Sequence, residues 1–203
     1  MRNNVWERIE ASRERWDVLR HPFYRRWSAG ELSAEELERY SGQYRHAVVA
    51  IADLSGRAAA ALPDRSELEA HAAEERDHVV LWDGFVEATG GDNAAAATPQ
   101  TRACTDAWAG PGEPLELLAR LYAIESGQPA ISITKRDGLL GSYGFDDGKG
   151  TAYFRVHSSR DAEHAAEVRE LIESVAAPAD EDAIVAAAEG AFRANWRLLD
   201  GVV

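Results

Sequence analysis

The sequence predicts an all-α protein, a bundle of about seven helices forming one domain over residues 1–203. Three observations predict it. Apolar residues recur at three- and four-residue steps through most of the chain, the period of a helix with one buried face. No stretch alternates with the two-residue period of a half-buried strand. Glycine and proline clusters fall between the periodic segments and divide them into helical lengths. Apolar residues make up 45% of 203, enough for one sizeable core and short for two.

The elements follow in order. A first helix covers residues 3–19, after which Pro22 in His21-Pro22-Phe23-Tyr24 breaks or bends the path. Ser33 reads as an N-cap, with Glu36 three residues on completing a capping box. A long helix over residues 34–61 follows, with Leu37, Tyr40, Tyr44, Val48 and Ile51 along one face. Pro63-Asp64 ends it, and the next helix covers residues 65–89. Gly90-Gly91-Asp92-Asn93 is a loop, and a short helix over residues 99–108 ends before Gly110-Pro111-Gly112. Pro114 suits the first turn of a helix reaching residue 140. Pro129 inside that helix predicts a kink. Residues 141–150 are glycine-rich and acidic and read as a loop; helices over 151–175 and 181–199 complete the chain.

Composition excludes several functions. Asp plus Glu outnumber Lys plus Arg by 35 to 22, a formal charge of -13 with a pI near 4.9. Nucleic acid and anionic membranes both need a basic footprint, so neither is an expected partner. Cys104 is the one cysteine, which leaves no internal disulfide and no cysteine-based zinc site, and fits a reducing cytoplasm. Met1 to Trp16 lacks the apolar core and cleavage pattern of a secretory leader. No apolar run approaches the ~18 residues of a membrane helix.

Three places carry chemistry. His157, Asp161 and His164 stand at offsets 0, 4 and 7. At about 100° per residue they share one stripe of a helix. Imidazole with carboxylate suits iron, manganese or zinc; a polar surface stripe would show the same spacing. Glu74-Glu75-Arg76-Asp77-His78 forms a second cluster, in which either glutamate can share a face with His78. That face continues into Leu81, Trp82 and Phe85, so charge buried there needs pairing or a metal. Glu125 is a single acid in the apolar run Leu121-Tyr122-Ala123-Ile124-Glu125-Ser126, and a buried lone glutamate needs a cation, either a metal or an arginine. Three carboxylates and three imidazoles from three helices match a two-metal bundle site better than a one-metal site.

With these residues in view, the chain resembles the haem-oxygenase-like di-metal oxidases, with its nearest likeness to the chlamydial protein associating with death domains and its bacterial relatives. The likeness covers nearly the whole chain. It runs through His21-Pro22-Phe23-Tyr24 with Trp27, Gly30-Glu31-Leu32 before Glu36-Leu37 and Tyr40, Glu74-Glu75 with His78 and Leu81-Trp82, and Tyr122 with Glu125-Ser126. It continues through Lys135, Tyr143-Gly144-Phe145, Tyr153-Phe154, and His157 with Asp161 and His164. The resemblance implies a seven-helix haem-oxygenase-like bundle. It also implies two irons per chain, cycling between Fe(II) and Fe(III), that activate O2 as cosubstrate with an external reductant. The implied ligands are Glu74, His78, Glu125, His157, Asp161 and His164. One departure matters: close relatives separate the first glutamate and histidine by six residues, whereas Glu74 and His78 are separated by three. Other members share a short spacing, which leaves Glu75 open as the ligand in place of Glu74.

The resemblance also implies an oxidase acting on a small substrate. The leading expectation is an amino acid or a metabolite derived from one, oxidised in a biosynthetic pathway, with Lys135 or Arg45 meeting a substrate carboxylate. Some relatives instead make 4-aminobenzoate by consuming their own tyrosine, with a lysine supplying nitrogen. Tyr24 and Lys135 match those positions, and Tyr40 matches a further tyrosine near the site. These three are the expected catalytic residues, with packing aromatics and a supporting cation as the plainer alternative. Metal-free relatives with a cysteine nucleophile are set aside, since Cys104 lies outside the ligand helices. A non-enzymatic interaction protein is the reading from another class. A small-molecule substrate and an electron donor are the expected partners, and a homodimer is left open.

Overall fold

A computed structural model describes residues 3–202, and among them no strand occurs. Nine α-helical segments form in place of about seven: α1 (Asn3–Arg15), α2 (Pro22–Ala29), α3 (Ala34–Ala61), α4 (Ser66–Thr89), α5 (Pro99–Ala109), α6 (Pro114–Gly141), α7 (Ala152–His157), α8 (Arg160–Val175) and α9 (Glu181–Asp200). The two extra segments have separate causes. Pro22 does not break a helix but begins one, because a proline at the first helical position lacks only an N–H that would be unpaired there anyway. His21 caps that helix: its Nδ1 accepts from the Phe23 N–H at 3.1 Å, and Nε2 lies 3.1 Å from Asp200.

The second cause lies in the expected helix over 151–175, which is interrupted at Ser158-Ser159. Both hydroxyls donate back to the preceding turn, Ser158 to the Arg155 carbonyl at 2.8 Å and Ser159 to the Val156 carbonyl at 3.3 Å. Serine side chains compete in this way with the helix ladder. His157 therefore ends α7, while Asp161 and His164 stand on α8; the stripe read on one helix is built from two.

Elsewhere the local signals act as their chemistry requires. Ser33 and Glu36 form the reciprocal capping box of α3, and Glu36 also binds Arg26 of α2 at 2.5 Å. Gly30 and Gly90 end α2 and α4 in the left-handed region, at φ 70° and 77°, where a side chain would be strained. α6 stays helical through Pro129, so the expected kink does not interrupt it. Pro129 has no N–H to give the carbonyl four residues back, which is that of Glu125. No helix among the described residues is long and apolar enough to cross a membrane.

α3 packs on α4, and α6 packs on α8 and α9. Between them lies an aromatic core in which Trp27, Tyr40, Trp82, Phe85, Tyr153 and Phe154 are fully buried. The indoles are tied to helix carbonyls, Trp82 to Ser41 at 2.8 Å and Trp27 to Lys135 at 3.2 Å. Trp27 lies so close to α6 that a Cβ on Gly138 would sit 2.5 Å from its Nε1 and 2.7 Å from its Cδ1. Gly138→Ala is therefore expected to destabilise the fold by ~1–3 kcal/mol through overpacking, lowering the midpoint of thermal unfolding by ~2–4 °C per kcal/mol. Gly190→Ala on α9, where nothing lies within 4 Å of the added carbon, leaves the midpoint equal or higher in the same calorimetric scan.

Candidate metal centre

α4, α6, α7 and α8 converge on one buried polar cluster. α4 supplies His71, Glu75 and His78; α6 supplies Glu125; α7 supplies His157, and α8 supplies Asp161 and His164. All seven side chains are buried. His71 Nε2 lies 2.6 Å from Glu125 Oε1 and 3.9 Å from Glu75 Oε1. His78 Nδ1 lies 3.0 Å from Glu75 Oε1, and His157 Nδ1 lies 2.8 Å from both oxygens of Asp161. Two sets of ligand atoms result: His71, Glu75, Glu125 and His164 in one, and Glu75, His78 and His157 in the other, each with its atoms within 4.8 Å of one another. Glu75 belongs to both.

Five of the six ligand residues read from the sequence thus meet here. His78, Glu125, His157 and His164 contribute directly, and Asp161 holds His157. The sixth, Glu74, lies outside the two sets, and Glu75, the alternative left open in the sequence, takes the buried place. The Glu74 side chain is 36% exposed against 1% for Glu75, because one residue on a helix turns the side chain by about 100°. Glu74 instead makes a two-point pair with Arg160, at 2.9 and 3.1 Å, and lies 3.3 Å from His164 Nε2. It is placed to orient that ring from outside the cluster, as carboxylates commonly do for ligating histidines. His71 was passed over in the sequence, although it precedes Glu75 by four residues and so shares its face.

The donor set fits a divalent metal ion. Glu75 Oε2, both oxygens of Glu125, His71 Nε2, His157 Nε2 and His164 Nδ1 are buried and have no hydrogen-bond partner in the protein. Buried polar atoms are ordinarily paired, and unpaired ionised ones cost several kcal/mol each. Electrostatics agree. Burial, then the neighbouring carboxylates of Glu75 and Asp161, push the Glu125 carboxyl well above its usual range. Burial also pushes Glu75 up, but the hydrogen bond from His78 and the nearby imidazoles outweigh it and hold Glu75 low. Burial lowers His71, and burial together with His71 lowers His164, so both rings favour the neutral, ligating form. Mixed imidazole and carboxylate donors suit iron, manganese or zinc.

A second feature lies farther along α6. Lys135 is fully buried and its Nζ has no hydrogen-bond partner. Five rings surround it, with centroids at 4.4 Å (Tyr44), 5.2 Å (Trp82), 5.4 Å (Tyr40 and Phe154) and 5.8 Å (Tyr24). Burial lowers the amine well below the ordinary lysine range. The hydroxyls of Tyr24 and Tyr40 are hydrogen-bonded to each other at 3.1 Å, and burial raises both phenols far above normal. Rings in contact join the cage to the cluster. Tyr153 stacks on His157 at 4.0 Å, Trp82 meets Tyr153 at 4.8 Å, and Tyr40 lies 6.1 Å from Trp82. Arg45, by contrast, is held by Asp83 at 2.6 Å. Cys104 is buried on α5, where burial pushes its thiol up and away from nucleophilic use.

The two glutamates can be separated by experiment. After anaerobic Fe(II) loading and gel filtration, Glu75→Ala is expected to lose metal from both positions, since its carboxylate belongs to both. Glu74→Ala is expected to keep its metal with affinity weakened by ~10–100-fold, the usual effect of removing an outer partner. Elemental analysis of the filtered proteins checks both.

Comparison with known proteins agrees with this architecture. Residues 38–196 match a family described as iron-containing redox enzymes. A 4-aminobenzoate synthase of Nitrosomonas europaea is 30% identical, the match covering 98% of this chain and 91% of that protein. One from Chlamydia muridarum is also 30% identical, over 97% of this chain and 89% of that one. Among solved structures, a TenA homologue from Pseudomonas syringae pv. tomato superposes with a TM-score of 0.84 at 15% identity, covering 98% of this chain and 91% of that one. A haem-oxygenase-like domain of unknown function from Shewanella denitrificans gives a TM-score of 0.76 at 21% identity, covering 95% and 89%. The structural likenesses establish a haem-oxygenase-like fold. The match over residues 38–196, with the full-length relatives, makes this chain a member of the iron-containing redox enzyme family, and so an oxidoreductase.

Proposed function

We propose that this protein is a 4-aminobenzoate synthase in which the Tyr24 side chain becomes the product's ring and Lys135 supplies its nitrogen. The proposed cofactor is two irons at the cluster shared by Glu75, with O2 as cosubstrate and an external electron donor. The observation that carries the reading is the Lys135 cage: a buried, unpaired amine held against Tyr24 and Tyr40, in a chain similar to proteins named for this product. A free amino-acid substrate has less support, because Arg45 is occupied by Asp83 and Lys135 is enclosed by rings.

When bound, the irons and O2 supply oxidising power inside the bundle. The chain's own residues prepare the organic partners. The cage strips water from Lys135, and that burial pulls the amine well below the ordinary lysine range, toward the form that carries a lone pair. The same burial keeps the Tyr24 phenol protonated, and the hydrogen bond between its hydroxyl and that of Tyr40 fixes the direction of its O–H. The rings of Trp27, Phe23 and Tyr40 around Tyr24 exclude the water that would otherwise quench a reactive ring.

The test uses protein grown with ring-13C tyrosine and 15N-lysine. Loaded with Fe(II), then given reductant and O2 with no other substrate, it is expected to release 4-aminobenzoate carrying both labels. Mass spectrometry should find no more than one product per chain. Tyr24→Phe and Lys135→Met are expected to retain iron and release none. Unlabelled product, or iron-loaded wild type that yields none, overturns the proposal. Repeated turnover of an added amino acid would establish the other oxidase reading.

A further inference from the structure

α4 carries the same ligand pattern as the α7–α8 pair. His71, Glu75 and His78 stand at offsets 0, 4 and 7, and so do His157, Asp161 and His164. In space the two triads run antiparallel. His71 faces His164 with ring centroids 4.0 Å apart, and His78 faces His157 at 4.5 Å. The first histidine of each triad thus meets the last of the other, so a local twofold relation pairs the histidines around two neighbouring points. We propose that His71 is a metal ligand, the fourth imidazole of a centre in which two matching histidine–carboxylate–histidine triads hold two ions that share Glu75.

Geometry separates this reading from a simple hydrogen bond. His71 Nε2 and Glu125 Oε1 approach to 2.6 Å, yet neither atom has a hydrogen-bond partner. Two donor atoms that crowd together without bonding each other are arranged around a common point. Glu75 and His164 offer ligand atoms of their own, and the four residues' ligand atoms all lie within 4.8 Å of one another. All four residues are buried. The set {His71, Glu75, Glu125, His164} then has two imidazoles and two carboxylates, whereas {Glu75, His78, His157} has three donors with Asp161 bound to His157. The first position is the more fully enclosed by protein donors and should fill first. The second keeps more room for an exogenous ligand, the difference expected between a firmly held ion and one with open coordination.

This inference rests on the cluster being a metal centre and is independent of which product the enzyme makes. Its test uses Co(II) added anaerobically to the metal-free full chain, followed by visible absorption and by elemental analysis after gel filtration. Wild type is expected to bind two Co(II) in two resolved steps. His71→Gln is expected to weaken the first step at least tenfold and to change its absorption bands. A second readout needs no variant: in 15N-histidine-labelled protein carrying two Co(II), four imidazoles should show paramagnetically shifted ring resonances. Four shifted rings with a weakened first step support the proposal. Three shifted rings, or His71→Gln binding both ions with unchanged affinity and bands, overturn His71 as a ligand while leaving the centre intact. Wild type that binds no Co(II) overturns the metal centre itself and this inference with it.

Discussion

Glu75, Glu125 and Asp161 are held out of water within one cluster, and the cost of that desolvation constrains everything around it. Three carboxylates cannot share a dry pocket as anions unless positive charge accompanies them. The protein answers in part with imidazoles: His78 stabilises Glu75, and His157 meets Asp161 with both oxygens. Glu125 has the His71 ring 2.6 Å away but no hydrogen bond from it, and burial pushes its carboxyl well above the usual range. A divalent ion held among these donors would relieve that cost directly. Metal binding would then be coupled to the stability of the bundle, since the candidate ligands come from four separate helical segments.

α6 turns that local constraint into an architecture. Glu125 and Lys135 are ten residues apart on it, a rise of about 15 Å at 1.5 Å per residue. Gln128 and Ser132 lie on the same face, and their side-chain polar atoms are also buried without protein partners. One helix therefore carries both an acid whose carboxyl burial pushes up and an amine that burial pushes down, with polar groups between them. Its position is fixed from the side by Trp27, whose indole binds the Lys135 carbonyl and fills the space beside Gly138. The core packing and the placement of the reactive amine are thus the same set of contacts.

How far this was legible in the sequence follows from the range of each interaction. The Ser33–Glu36 box, the loop at Gly90-Gly91 and the start of α6 at Pro114 depend on neighbours within four residues, and all read correctly. The family, and with it the fold, was legible from the order of His21, Glu125 and the His157–His164 triad. The break at Ser158-Ser159 was not, because a serine hydroxyl returns to the helix backbone in many unbroken helices as well. Glu74 and Glu75 differ only by which way α4 is rotated, and that is decided by packing against α3 and α7 rather than by local sequence. His71 was hidden for another reason: the close spacing of Glu74 and Glu75 to His78 drew the ligand face forward, when the matching triad began one turn earlier.

A protein that consumes its own side chain must meet two opposed demands, and the surroundings of Tyr24 meet both. The ring must be deep enough to be shielded from water, and Tyr24 is buried among Phe23, Trp27 and Tyr40. Its loss must also leave the helix in place. Removing an aromatic side chain from a core costs ~3–5 kcal/mol, a large share of the ~5–15 kcal/mol that holds a domain folded. α2 does not depend on that ring alone. His21 caps its start, Arg26 is bound to Glu36 of α3, and the Tyr143 hydroxyl donates to the Trp27 carbonyl at 3.0 Å. Trp27 itself remains locked against α6. On the proposed route the helix that gives up its tyrosine is held at its start by His21 and in its last turn by Arg26 and Trp27, which is the physical condition for such a reaction to end in a folded protein.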